Sequence, residues 1–296
     1  MWQYTSSASV PGVPKPCDRS WFNGSLAQLH ALSNGGGAGG GATSRDVTGD
    51  GVDDVVGRTA DADGGLYVYP GNGNGTLASR RAITASGWGG INAIAIADFT
   101  GDGRPDMVGR VAADGSLNLY PGNGAGGLYS PHQVGTGWGA MVNIVAGDFT
   151  GDGNADLIAR RNDGGMFLYA GNGNGTFASP HTLAPAGSSW GGEVTIQGGD
   201  FNGDGHSDLI AETADFRIVL YTGYGDGGLS SPVEISHGWG DMTAIIPGDF
   251  NNDGRTDLLG RSTDGTLRLY VASTSGSLSA GTVLGTGWNI YNLFQS

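Results

Sequence analysis

Five stretches of this chain set oxygen-bearing side chains at one fixed spacing. Asp98-Phe-Thr-Gly-Asp-Gly-Arg-Pro-Asp106 shows it best, and the copies beginning at Asp46, Asp98, Asp148, Asp200 and Asp249 are 52, 50, 52 and 49 residues apart. Each reads Asp-x-Thr/Asn-x-Asp-Gly-x-x-Asp. Positions 1, 3, 5 and 9 are Asp46, Thr48, Asp50 and Asp54 in the first copy and Asp98, Thr100, Asp102 and Asp106 in the second. The third has Asp148, Thr150, Asp152 and Asp156; the fourth Asp200, Asn202, Asp204 and Asp208; the fifth Asp249, Asn251, Asp253 and Asp257. Such a set, with Gly at position 6 for a sharp turn, suits a hard cation such as calcium, which takes six to eight oxygens at about 2.3–2.6 Å. Position 7 varies (Val52, Arg104, Asn154, His206, Arg255), as expected where only the main-chain carbonyl is a ligand.

A helical EF-hand does not fit. Its loop needs a bidentate Glu at position 12, where this chain has Gly57, Gly109, Ala159, Ala211 and Gly260. Each loop runs instead into a short aliphatic stretch such as Asp106-Met-Val-Gly, which reads as a strand. A single Asp/Gly-rich stretch would pass for a plain turn, but five in register do not.

The charge follows from the loops. Net charge is −14, from 14 basic and 28 acidic residues, and three Asp in each of five loops make up 15 of the 28. Five bound dications would add ten charges and bring −14 to −4. The acidity is thus ligand inventory, and it disfavours a nucleic-acid partner. No apolar run approaches the length of a membrane span. Sites of this kind fill at extracellular calcium levels, so the expected location is secreted. The start Met1-Trp-Gln-Tyr4 carries no visible signal peptide, which fits a trimmed mature chain as well as an intracellular one, and the single Cys17 forms no internal disulfide.

The loops need strands to hold them, and the repeat supplies four. In the second copy these are Ile91–Ala97 before the loop, the run from Asp106, Ser116–Tyr120 after an Ala-Asp-Gly hairpin signal, and a short strand at 132–134. A repeat near 50 residues with four strands is the blade of a β-propeller. The chain therefore reads as one all-β domain over 1–296. The third strands end in Tyr69, Tyr120, Tyr169, Tyr221 and Tyr270, and Trp88, Trp138, Trp190, Trp239 and Trp288 precede the next first strands.

The ends point to closure. Residues 1–34 read as later strands of a degenerate blade, since Asn23-Gly-Ser-Leu26 resembles Asn74-Gly-Thr-Leu77. Residues 287–294 read as a Trp turn and a lone first strand. Five loop blades plus this composite make six, with five or seven as the alternatives. The glycine run 35–41 stands where the first strand before Asp46 belongs, and Gly weakens strands. It is either a poorly ordered strand or a linker.

The motif Phe-Thr/Asn-Gly-Asp-Gly-x-x-Asp with a following aliphatic strand, and later Leu-Tyr-x-Gly-Asn-Gly, resembles the FG-GAP/VCBS repeat over roughly residues 46–285. That repeat builds the propeller of integrin α chains and of fungal lectins of the Psathyrella velutina type. The resemblance implies a propeller and implies that Asp46, Thr48, Asp50, Asp54 and their equivalents are calcium ligands, about five ions in all. The first copy departs in having Val47 where the others have Phe99, Phe149, Phe201 and Phe250. The family includes adhesion proteins, lectins and accessory domains of secreted enzymes, so it narrows function only in part.

Two further repeated features bear on function. The five Trp can offer ring faces to sugars, one pocket per blade junction, or can wedge between blades as core. Arg58, Arg110, Arg160 and Arg261 end the second strands, with Glu212 in their place in the fourth repeat. They can bind a polar ligand or brace the hairpin Asp63, Asp114, Asp163 and Asp264. Histidines fall at unrelated repeat positions, and no nucleophile-elbow, zincin or zinc-cysteine pattern occurs, so no enzyme is expected. The leading expectation is a secreted, calcium-stabilised lectin-like propeller with repeated inter-blade sites for glycans or a glycosylated surface. An integrin-like platform for a protein partner, or an accessory domain of a secreted enzyme, is the alternative.

Overall fold

The computed structural model describes residues 44–193 and 195–295, and in them twenty strands form five four-stranded antiparallel sheets. The second sheet holds β4 (Ile91–Ala97), β5 (Asp106–Val111), β6 (Leu117–Tyr120) and β7 (His132–Gly135) in chain order. The third holds β8 (Met141–Gly147), β9 (Asp156–Arg161), β10 (Met166–Tyr169) and β11 (His181–Ala184). The fourth is β12 (Thr195–Gly199), β13 (Asp208–Glu212), β14 (Arg217–Tyr221) and β15 (Val233–His237). The fifth is β16 (Met242–Gly248), β17 (Asp257–Ser262), β18 (Leu267–Tyr270) and β19 (Thr282–Gly285). The first combines β1 (Val55–Thr59), β2 (Leu66–Tyr69) and β3 (Arg81–Thr84) with the C-terminal β20 (Tyr291–Gln295).

The innermost strands close a ring. β20 lies against β4, β4 against β8, β8 against β12, β12 against β16, and β16 against β20. Five apolar clusters fill the five junctions between neighbouring sheets. Each sheet has an apolar set on both faces, so no blade can bury itself alone. Radial stacking covers the faces, and closure gathers the inner edges around the axis, where they are short and protected.

The expected six blades are therefore corrected to five. The lone C-terminal strand does close a shared blade, but that blade is the one carrying the first acidic loop. β20 pairs antiparallel with β1, Val56 opposite Gln295 and Thr59 opposite Tyr291. It fills the place that the sequence left to the glycine run 35–41. The physical reason is packing: Tyr291, only 2% exposed, buries a ring in the junction, and glycine has no side chain to do so. The glycine run and the segment 1–34, read as part of an extra blade, lie outside the described residues.

Each acidic loop leads into the strand beside the innermost one, so all five share one end of the propeller, together with the turns between third and fourth strands. The crossovers to the next blade and the second-to-third-strand hairpins share the other end. Among the described residues no helix is long and apolar enough to cross a membrane.

Candidate functional site

The acidic loops fold around their own first and last carboxylates. In the first loop Asp46 Oδ1 accepts hydrogen bonds from the main-chain N–H of Gly49 (2.7 Å) and Asp50 (3.0 Å), and Oδ2 from Gly51 (2.7 Å). Asp98, Asp148, Asp200 and Asp249 are engaged in the same way. Positions 4 and 6 take positive φ, +75° at Gly49 and +91° at Gly51, which glycine permits at no steric cost. In the fifth loop Asn252, at φ +59°, does this duty, as Asn tolerates that region better than most residues.

The ninth-position carboxylates are fully buried at Asp54, Asp106, Asp156, Asp208 and Asp257. Each accepts a main-chain N–H from the third-to-fourth-strand turn of its own blade: Gly71 (3.0 Å), Gly122 (2.8 Å), Gly171 (2.8 Å), Gly223 (2.9 Å) and Ala272 (2.9 Å). Gly122 needs to be glycine, because a Cβ there would sit 1.9 Å from the Pro105 carbonyl oxygen. Burial pushes Asp54, Asp208 and Asp257 up to about 7 and Asp156 up to about 6; hydrogen bonds from the turns work against this, and neighbouring loop carboxylates add to it. Asp106 is raised for the same first reason.

A neutralising cation fits this chemistry. Asp46, Asp50 and Asp54 bring one carboxylate oxygen each within 4.8 Å of one another. In the second and third loops Thr100 Oγ1 and Thr150 Oγ1, the third-position oxygens, are buried without a hydrogen-bond partner among the described residues, as is Asp257 Oδ2 in the fifth. Among the described residues only the first loop draws its three carboxylates that close. In the second and fifth, Arg104 and Arg255 at position 7 reach back and pair with Asp102 and Asp253. Val52, Arg104, Asn154 and His206 lie against the turn glycines Gly73, Gly124, Gly173 and Gly225.

Four of the five loops are also pinned to the next blade; in the fourth, the matching Gly276 N–H turns to the Ser273 carbonyl. The main-chain N–H of Gly126, Gly175 and Gly227 donates to the carbonyls of Val47, Phe99 and Phe149 at 2.8–2.9 Å. Gly75 closes the ring on the Phe250 carbonyl (2.9 Å). Val47 serves as the phenylalanines do: it and Phe99, Phe149, Phe201 and Phe250 are all 2% exposed or less.

At the opposite end the five Trp stack on the third-strand tyrosines of the following blade. Ring centroids are 4.6 Å apart for Trp88–Tyr120, 4.4 Å for Trp138–Tyr169 and 4.5 Å for Trp190–Tyr221. Trp239–Tyr270 and Trp288–Tyr69 are at 4.5 and 4.4 Å. Trp88, Trp138 and Trp239 are buried, whereas Trp190 and Trp288 keep a partly exposed face.

The arginines hold the crossovers. Arg58, Arg110, Arg160 and Arg261 donate to the main-chain carbonyls of Trp88 (3.1 Å), Trp138 (3.4 Å), Trp190 (2.8 Å) and Trp288 (3.2 Å). Arg58, Arg110 and Arg261 also bond the carbonyls of Ile91, Met141 and Tyr291, where the next inner strand begins. Their Nε atoms rest on Asn292 (3.0 Å), Asn92 (2.7 Å), Asn143 (2.9 Å) and, for Arg261, the Thr243 hydroxyl (2.8 Å). The hairpin aspartates act elsewhere: Asp163 pairs with Arg161, and Asp114 and Asp264 accept from the N–H of Ser116 and Thr266.

The seam between fifth and first blades opens into a cleft of about 460 Å³ lined by Tyr69, Asn74, Thr76, Leu269, Thr282 and Trp288. Beside it the Tyr69 and Tyr291 hydroxyls share a 2.6 Å hydrogen bond, and Arg80 donates to Tyr291 (2.6 Å) while covering the Tyr67 ring at 4.5 Å. Sequence reasoning missed Arg80, Tyr291 and Arg45. The fully buried Arg45 crosses the ring to the Gly198 carbonyl of the fourth blade (2.8 Å). Its only sequence sign is an Arg in the slot before the loop, where other repeats have Ala97, Gly147, Gly199 and Gly248.

Acidic loops, stacked Trp–Tyr junctions and a closed ring of five sheets define a repeat propeller. The model of the FG-GAP-like repeat matches residues 46–109, 110–159, 151–211 and 200–260, and the chain belongs to that family. No functionally curated protein matches it. Among solved structures it is similar to an Agrocybe aegerita lectin that recognises non-reducing terminal N-acetylglucosamine, at 18% identity and TM-score 0.48, over 87% of this chain and 83% of that one. The BP39L lectin of Burkholderia pseudomallei is similar at 16% identity and TM-score 0.47, over 79% and 70%. The Photorhabdus luminescens Tc holotoxin pore is similar at 20% identity and TM-score 0.45, over 82% of this chain and 12% of that one. At these values the likeness carries no argument about function.

Proposed function

We propose that this chain is a secreted, calcium-stabilised propeller without enzymatic activity that binds carbohydrate in clefts between blades. The observation that carries the reading is the seam cleft. It joins the partly exposed ring of Trp288, on Tyr69, to the amide of Asn74 and the hydroxyls of Thr76 and Thr282. An apolar ring beside a few polar groups is the usual makeup of a small-ligand site, and it matches the apolar face and hydroxyl rim of a sugar. The buried rings of Trp88, Trp138 and Trp239 are better suited to wedging than to stacking on a ligand, which shifts the proposal from five equal pockets toward the seam.

Calcium enters this reading as a structural ion at the five acidic loops, held by the residues at positions 1, 3, 5 and 9 with the position-7 carbonyl. It would neutralise carboxylates that burial otherwise penalises. For a dissociation constant of about 0.1 mM and about 1 mM free calcium, each site adds about 1.4 kcal/mol.

The test is calorimetric titration of the calcium-loaded protein with simple monosaccharides, followed by a glycan array. Saturable binding that Trp288→Ala and Thr76→Ala abolish supports the cleft. Heat of dilution alone, together with capture of a protein partner that sugars do not displace, would replace it with the adhesion-platform reading.

A further inference from the structure

Four crossovers are braced by a guanidinium, and the fourth-to-fifth crossover is not. Glu212 stands opposite Thr195 in the register that sets Arg110 opposite Ala93, so it holds the arginine's place in the repeat. The carbonyls of Trp239 and Met242 are the counterparts of those of Trp138 and Met141, which Arg110 holds. An ionised carboxylate has no N–H to give them. This junction therefore puts an acceptor in the place where the other four put a donor.

Glu212 is 5% exposed and, among the described residues, has no hydrogen-bonded or ion-paired partner. Gln197, two residues along from Thr195 and on the same face of the sheet, gives its amide N–H to the Ile245 carbonyl (2.9 Å), while its Oε1 is buried with no partner. Glu212, Gln197 and Met242 all line a cup of about 340 Å³ on the propeller axis. The exposed Asn92, Val142, Thr243 and Asn292 stand at its crossover end. The cup also contains Arg261, whose guanidinium is spent on Thr243 and on the carbonyls of Trp288 and Tyr291.

We propose that this junction binds a small organic cation bearing N–H donors, a primary ammonium or guanidinium group, on Glu212 with the Trp239 and Met242 carbonyls, entering through the axial cup. The four braced junctions show that a guanidinium fits this backbone geometry. Here the carboxylate supplies the charge that makes a free cation stay. A bare metal ion fits less well, because calcium takes six to eight oxygens and the junction offers fewer. Burial raises Glu212 to about 7, as expected of an anion with no counter-charge in the protein, so binding should also bring proton release near neutral pH.

The experiment is calorimetric titration of the full chain with agmatine and with ethylammonium at constant ionic strength, with sodium chloride and calcium chloride alone as controls. One saturable site is expected, weakened about tenfold or more in Glu212→Gln. In Glu212→Arg, which restores the brace of the other four junctions, binding should vanish and the ligand-free melting temperature should rise. Equal affinity in the parent and Glu212→Gln overturns the proposal. So does saturation by calcium chloride but not by agmatine, or binding that survives in a folded Glu212→Arg.

Discussion

The two ends of the propeller follow different rules. At the loop end every blade repeats one set of bonds: the first carboxylate caps its own turn, and the ninth ties the loop to the neighbouring turn. At the crossover end four of the five junctions share a guanidinium and the remaining one, between fourth and fifth blades, carries Glu212, while the seam has its own tyrosine–arginine cluster. The loop bonds stay largely within one blade, so each copy can be kept by its own nine residues and turn. A crossover joins two blades, and one substitution there changes a junction without disturbing the repeat. Structure is thus kept where the repeats agree, and individuality collects where they differ.

The largest test of that contrast is metal removal. If all five loops hold calcium, chelation removes about 7 kcal/mol at about 1 mM calcium. At about 2–4 °C per kcal/mol for a domain of this size, the melting temperature should fall by roughly 14–28 °C. A melting curve in chelator that overlays the calcium curve would show that the loops are only turns.

A smaller effect is expected at a braced crossover. Arg110→Ala leaves the Trp138 and Met141 carbonyls without their guanidinium, at a cost of about 2–4 kcal/mol in urea unfolding. Arg110→Lys should recover only part, since an ammonium cannot span the two carbonyls and Asn92 at once. A loss under about 0.5 kcal/mol, the usual effect of a surface change, would mean that the crossovers are held by their Trp–Tyr stacks alone.

The unbraced junction sharpens the comparison through pH. Glu212 titrates near 7 in the folded chain against an ordinary glutamate value when unfolded, because burial disfavours its anion. Its folded form therefore holds a proton that the unfolded form has lost between those values. The stability tied to that proton is fully present below about pH 4 and is lost as pH rises through about 7. Glu212→Gln, neutral throughout, should thus match the parent near pH 4.5 and exceed it by about 1–3 kcal/mol at pH 8. Parallel stability curves for the two proteins would place the carboxylate in water.

Much of this was legible in the chain. The nine-residue motif marks the loops, the small and β-branched run at Ile91–Ala97 marks an inner strand, and the Tyr and Trp spacing marks the junctions, because each is encoded within a few neighbouring residues. The blade number was not. It turns on β20 pairing with β1, Thr59 with Tyr291, a contact between chain ends that no local period records. Nor could sequence choose between sugar platform and wedge for Trp138, or between ligand and hairpin Asp for Arg110. Those side chains meet partners from the following blade, Tyr169 and the Trp138 carbonyl, and only closure of the ring brings them within reach.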